Sequence, residues 1–112
     1  MRYLLSFLTG LVLFSCAAPT VEPADDTIKV VCTTSIMTDW VSKVASDKME
    51  VLPLLKVGID PHVYKPSKKD LDLLREADVI IYHGLHLEGK IIEVLEHMED
   101  KLIIDAAKNF PN

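Results

Sequence analysis

Ile28-Lys29-Val30-Val31-Cys32-Thr33-Thr34 is a short run rich in β-branched residues, with no alternation of apolar and polar positions. Such a run suits a strand covered on both faces, and strands of that kind belong to parallel sheets. Ser35 follows and can cap a helix running to about residue 46, on which Ile36, Trp40, Val41, Val44 and Ala45 share one face. Strand followed by helix is the unit from which the rest of the chain is read.

The unit recurs. Residues 49–55 form a second apolar run, in which Pro53 removes a backbone donor and so favours an edge position. Ser67 can cap a helix to about residue 76, with Leu71, Leu74 and Ala77 inward and Lys68, Lys69, Asp72 and Arg75 outward. Residues 78–82 read as a third strand with His83-Gly84 as its exit, and residues 87–100 as a third helix burying Leu87, Ile91, Leu95 and Met98. Residues 102–105 read as a fourth strand, and residues 108–112 as an irregular tail. This alternation predicts an α/β fold: a parallel sheet of about four strands with helices on both faces. Ligands of such sheets sit beyond the carboxyl ends of the strands. That rim would hold the Thr33-Thr34-Ser35 turn, the loop carrying His62, His83 and Asp105.

The loop is Gly58-Ile59-Asp60-Pro61-His62-Val63-Tyr64-Lys65-Pro66-Ser67. Pro61 and Pro66 fix their own φ and restrict the residues before them, so the segment holding His62 is ordered in advance. A lone histidine in a proline-rich loop is by itself more often a surface residue than a ligand. The whole string, continued by Lys68, Lys69 and Asp70, is more specific. It resembles the loop that supplies the first metal ligand in the zinc and manganese solute-binding lipoproteins of bacterial ABC importers. Thr33-Thr34-Ser35-Ile36 and the stretch Ala77-Asp78-Val79-Ile80-Ile81-Tyr82-His83-Gly84-Leu85-His86-Leu87-Glu88 resemble the same family in the same order.

The resemblance implies a two-lobed protein of which this chain is the amino-terminal lobe. It implies capture of Zn²⁺ or Mn²⁺ outside the cytoplasm for delivery to an ABC permease, with His62 as a metal ligand. The other ligands of the family would fall beyond residue 112, so the expected chain is a shortened one holding only the first ligand loop. A neutral imidazole suits these ions when its second ring nitrogen is held by an acceptor. Asp60 is expected to brace the turn through the backbone, and Tyr64 to pack with its hydroxyl bonded. His83 and His86 have a His-x-x-His spacing, but the family carries Asn at the position of His83, and local loop chemistry is the expected role of both. His97, beside Glu93, Glu96 and Glu99, reads as part of a solvated helix face.

Ahead of the sheet, one positive charge at Arg2 and an apolar stretch over residues 4–14 have the make-up of an export signal and are too short to span a membrane. Leu13-Phe14-Ser15-Cys16 resembles a bacterial lipobox, with Phe14 bulkier than the usual residue, which makes Cys16 the expected lipidation site. Residues 1–15 are then a lipoprotein signal peptide, 16–27 a lipidated tether rich in Ala, Pro, Thr and acidic residues, and 28–112 the lobe. The acyl chains would hold the protein on the extracytoplasmic side of a membrane, in the periplasm or at the cell surface.

Composition narrows the alternatives. With 112 residues, 49% hydrophobic and 26% charged, the chain is ordinary globular material, and its formal charge of −5 becomes one unit more negative without Arg2. That acidity and the lack of a basic stripe argue against nucleic acid as a partner. No glycine-rich phosphate loop, nucleophile elbow or paired acid and base is present, which argues against an enzyme. Cys32, in an apolar run, is expected to be buried and inert. The competing reading is a surface lipoprotein that acts through protein contacts, like an adhesin, without metal transport.

Overall fold

The structure is a computed structural model that describes residues 26–111. The expected signal peptide, most of the expected tether, Cys16 and Asn112 lie outside the described residues. Four strands, β1 (Ile28–Cys32), β2 (Met49–Pro53), β3 (Val79–Tyr82) and β4 (Leu102–Asp105), alternate with three helices, α1 (Ser35–Val44), α2 (Lys68–Glu76) and α3 (Lys90–Leu95). Every strand pair is parallel, and the order across the sheet is β2-β1-β3-β4. β1 is therefore an inner strand, and Val30, Val31 and Cys32 are buried on alternate faces, which is why its sequence carries no polar alternation. Pro53 ends β2, an edge strand, as its missing donor requires.

The register sets two cores. Val30 aligns with Val51 and Val79, and Val31 with Leu52 and Ile80. Val30 and Cys32 pack with Met37 and Val41 of α1 on one face. Val31 and Ile80 pack with Leu74 and Ala77 and with Ile91 and Leu95 of α3 on the other. Helices thus cover both faces, and each large side chain buried here contributes about 1.5–3 kcal/mol.

α2 follows its sequence closely. Ser67 Oγ accepts from the Asp70 backbone nitrogen, and the Asp70 carboxylate accepts from the Ser67 nitrogen, a complete capping box. Leu74 and Ala77 are buried, and the basic residues face out.

Other elements differ from expectation. α1 is capped by Thr34, not Ser35: Thr34 is extended and its Oγ1 accepts from the nitrogen of Met37, one turn in. The helix stops at Val44 rather than near residue 46, because Ala45 is already extended. The expected inner stripe is largely outside, with Ile36, Trp40 and Val44 at 58%, 59% and 85% exposure. Two apolar stripes run side by side on α1, and the sheet takes the one built from Met37 and Val41. α3 is also shorter than the expected 87–100. Gly89, at φ +42°, cannot continue a right-handed helix, and beyond Leu95 the bonds of His97 to Val94 and Met98 to Leu95 tighten the chain into turns. After β4 the chain does not fall directly into an irregular tail: Phe110 N donates to the Ala107 carbonyl and closes a turn.

Candidate functional site

The carboxyl ends of β1 and β3 are tied together before any loop is considered. Thr33 is fully buried and its nitrogen donates to the Ile81 carbonyl at 3.0 Å, while its hydroxyl donates to Glu88 Oε1 at 2.7 Å. The same Oε1 accepts from the backbone nitrogen of His83 at 2.6 Å, and Oε2 accepts from that of Gly84 at 3.3 Å. Next to this carboxylate, Thr34 Oγ1 and His83 Nε2 lie 2.8 Å apart. The turn after β1 and the exit from β3 therefore form one hydrogen-bonded unit, with the wholly buried Glu88 at its centre.

Glu88 closes a backbone path that side chains ordinarily avoid. Gly84, Leu85 and His86 have φ of +85°, +51° and +62°, three successive left-handed residues of which only the first is glycine. Leu85 and His86 each carry a strain on the order of 1–2 kcal/mol, which the surrounding bonds must offset. The Leu87 nitrogen returns to the Gly84 carbonyl at 3.1 Å, and the three bonds to Glu88 fix the turn from below. Gly84 has to be glycine for a second reason: a Cβ there would collide with the carboxylate of Asp105 at the end of β4. Gly89 is constrained likewise, since a Cβ would run into the carbonyl of His62.

The His62 loop thus rests on the turn that leaves β3. Within the loop, Asp60 Oδ1 accepts from the His62 nitrogen at 2.9 Å, the Asx turn expected from the sequence, and lies 3.4 Å from His62 Nδ1. The imidazole is mainly exposed, with its Nδ1 side toward Asp60. Tyr64 packs against the core and donates to Asp70 Oδ2 at 2.6 Å, so the loop is pinned at its far end to the cap of α2. The bond to Asp70, burial and that carboxylate's charge together push the Tyr64 hydroxyl up to about 12. Beside the loop a cavity of about 270 Å³ opens between Leu55, Gly58, Pro61, Thr34, His83 and Leu87.

The rim expected from the sequence is therefore present: Thr33, Thr34 and His83 are joined, His62 is braced against Gly89, and Asp105 backs Gly84. His86 is exposed beside His83 in sequence but shares no cluster with it, and among the described residues no group of three or more His, Cys, Asp or Glu is placed to hold a metal. His97 is exposed with Nδ1 on the Glu93 carbonyl at 2.6 Å, the solvated role expected of it. Cys32 is fully buried, and burial pushes its thiol up to about 11, as befits an inert thiol. Glu88 has no role that its sequence neighbours announce. A carboxylate among Leu87 and glycines was the signal available, and it does not reveal a partner as remote as Thr33.

This arrangement meets known proteins at the level of the whole lobe. Residues 30–112 match the family model described as ZnuA, zinc-uptake complex component A, periplasmic. The manganese-binding lipoprotein MntA of Bacillus subtilis is 40% identical over 80 residues, covering 71% of this chain and 26% of that protein. The manganese ABC transporter substrate-binding lipoprotein PsaA of Streptococcus mitis is 35% identical over 103 residues, covering 85% of this chain and 33% of its own length. Among solved structures, the periplasmic zinc binding protein TroA of Treponema pallidum superposes with a TM-score of 0.72 at 32% identity, covering 76% of this chain and 31% of that one. The chain spans about a quarter to a third of the length of these relatives. Among the described residues no helix is long and apolar enough to cross a membrane. With its four-stranded parallel sheet and its match over residues 30–112, the chain belongs to the ZnuA family of metal-binding, substrate-binding proteins of ABC transporters, in which it corresponds to the amino-terminal lobe.

Proposed function

We propose that this chain takes part in the extracytoplasmic capture of a divalent transition metal, Zn²⁺ or Mn²⁺, for delivery to an ABC permease, and that His62 is its first metal ligand. The observation that carries the reading is the seating of His62. Its Nδ1 side faces Asp60, and its ring is exposed on the rim where parallel sheets bind their ligands. With a carboxylate beside Nδ1, Nε2 is the ring nitrogen offered for coordination. Names of relatives support a transition metal without choosing one, since they include manganese-binding, iron-transporting and zinc-binding proteins.

Residues 1–15 would act as the signal peptide and 16–27 as a tether lipidated at Cys16, leaving the lobe of residues 28–112 on the outer side of a membrane. The curated relatives quoted above are named as lipoproteins, which supports that placement. The contact-protein alternative draws no support from those names. One imidazole does not close a coordination shell, and selective binding depends on a full set of ligands. We therefore expect weak binding by this chain alone. The test is a titration of the full chain and its His62→Ala variant with Zn²⁺ and Mn²⁺. Loss of the first binding event in the variant supports the proposal; identical isotherms sink it.

A further inference from the structure

We infer that Glu88 is a positioning residue for the metal site, acting on His62 through Gly89; the inference rests on the reading of His62 as a ligand. Glutamate is almost never fully buried unless paired, and Glu88 is wholly buried with no cation among its hydrogen-bond partners in the described residues. Its partners are neutral donors: the Thr33 hydroxyl at 2.7 Å and the nitrogens of His83 at 2.6 Å and Gly84 at 3.3 Å. Filling space would be done as well by an apolar side chain, and removing the carboxylate alone would orphan those donors. What the carboxylate does that an apolar group cannot is hold a specific backbone path. It links Thr33, 55 residues away in sequence, to the exit of β3, and holds the entry of the left-handed turn at Gly84, Leu85 and His86.

The next residue carries the effect to the ligand. Gly89 follows Glu88 directly and lies so close to the His62 carbonyl that a Cβ would not fit. If the strained turn relaxes, Gly89 moves, and the support beneath the His62 backbone moves with it. Asp60 sets the ring from within its own loop, whereas Glu88 sets where that loop stands relative to the strand ends. Oε1 takes both short bonds and Oε2 only the long one, so glutamine, whose amide oxygen can replace Oε1 but whose NH2 cannot accept from Gly84, keeps the two short bonds and loses the third.

The experiment compares the full chain in detergent micelles with its Glu88→Ala, Glu88→Gln, Gly89→Ala and His62→Ala variants. It reads hydrogen exchange at the His62 amide, exchange at the core amides of Leu74 and Ile80, and Zn²⁺ affinity by direct titration. Expected for Glu88→Ala is faster exchange at His62 with the core amides unchanged, and a loss of Zn²⁺ affinity of about tenfold or more. Glu88→Gln restores both, and Gly89→Ala reproduces the defect with the Glu88 bonds in place. The inference is overturned if Glu88→Ala leaves His62 exchange and Zn²⁺ affinity unchanged. It is equally overturned if that variant loosens core and His62 alike while Gly89→Ala leaves His62 undisturbed. Should His62→Ala bind Zn²⁺ as the parent does, the ligand reading fails, and the His62 exchange data still decide whether Glu88 positions the loop.

Discussion

Asp60 Oδ1 accepts from the backbone nitrogen of His62 at 2.9 Å and lies 3.4 Å from Nδ1 of its ring, so one carboxylate oxygen holds the turn and faces the imidazole. Replacing Asp60 by Ala removes both, while Asn keeps an acceptor oxygen. Loss of a group that orients a metal-bound histidine typically weakens binding by about 10–100-fold. We predict a fall in that range for Asp60→Ala and a smaller one for Asp60→Asn, measured by Zn²⁺ titration. Equal affinity of the Ala variant and the parent would remove Asp60 from the site.

The cap of α2 should give the lobe a pH-dependent stability. Burial acts to raise the pKa of Asp70, but hydrogen bonds from Ser67 and Tyr64 outweigh it and hold the carboxyl below its ordinary value of 3.8. A folded-state value below the unfolded one contributes stability above pH about 4, and that contribution is lost as pH falls through the lower folded value. Ser67→Ala should cost about 1 kcal/mol at neutral pH. Thermal melts from pH 7 down to pH 2 should show the difference between this variant and the parent shrinking at the acid end. A constant difference would mean that Asp70 does not titrate with the cap.

Tyr64 carries the opposite sign. Its hydroxyl, pushed up to about 12 by the bond to Asp70 and by burial, contributes stability below the ordinary phenol value of 10 and loses it as pH rises toward the folded value. Ultraviolet titration of the phenolates should find Tyr64 ionising late alongside Tyr82, which burial and the Asp105 carboxylate also push up, and Tyr64→Phe should remove the Tyr64 share of that late step.

Cys32 offers a probe of global opening. Its side chain is fully buried between β1 neighbours and α1, and its thiol is pushed up to about 11. Alkylation at Cys32, mapped by mass spectrometry, should be slow in the folded chain and fast in denaturant. Leu74→Ala, which removes a fully buried side chain from the opposite core and should cost about 2–5 kcal/mol, should accelerate it. Rapid native labelling at Cys32 would contradict the burial.

Much of this lobe is legible because its signals are local. Leu102–Asp105 needs only an apolar run, and the Ser67–Asp70 box needs residues three apart. Asp60 and His62, two apart, are equally readable, and so is the edge position of Pro53. What escapes is set by long-range packing. The choice between the Met37–Val41 stripe and the Ile36–Trp40–Val44 stripe depends on how α1 is rotated over β1 and β2, which no periodicity within α1 decides. The requirement for glycine at the start of α3 depends on Gly89 meeting His62, and the role of Glu88 on meeting Thr33, contacts between residues far apart in the chain.

The most direct test of the central claim follows the four histidine rings by ¹H–¹⁵N correlation while Zn²⁺ is added to the full chain. The His62 ring should respond first, through Nε2, the ring nitrogen away from Asp60. His83 should retain its bond to Thr34, and His97 should stay unperturbed. A first response at His83 or His86 with His62 unmoved would contradict that claim.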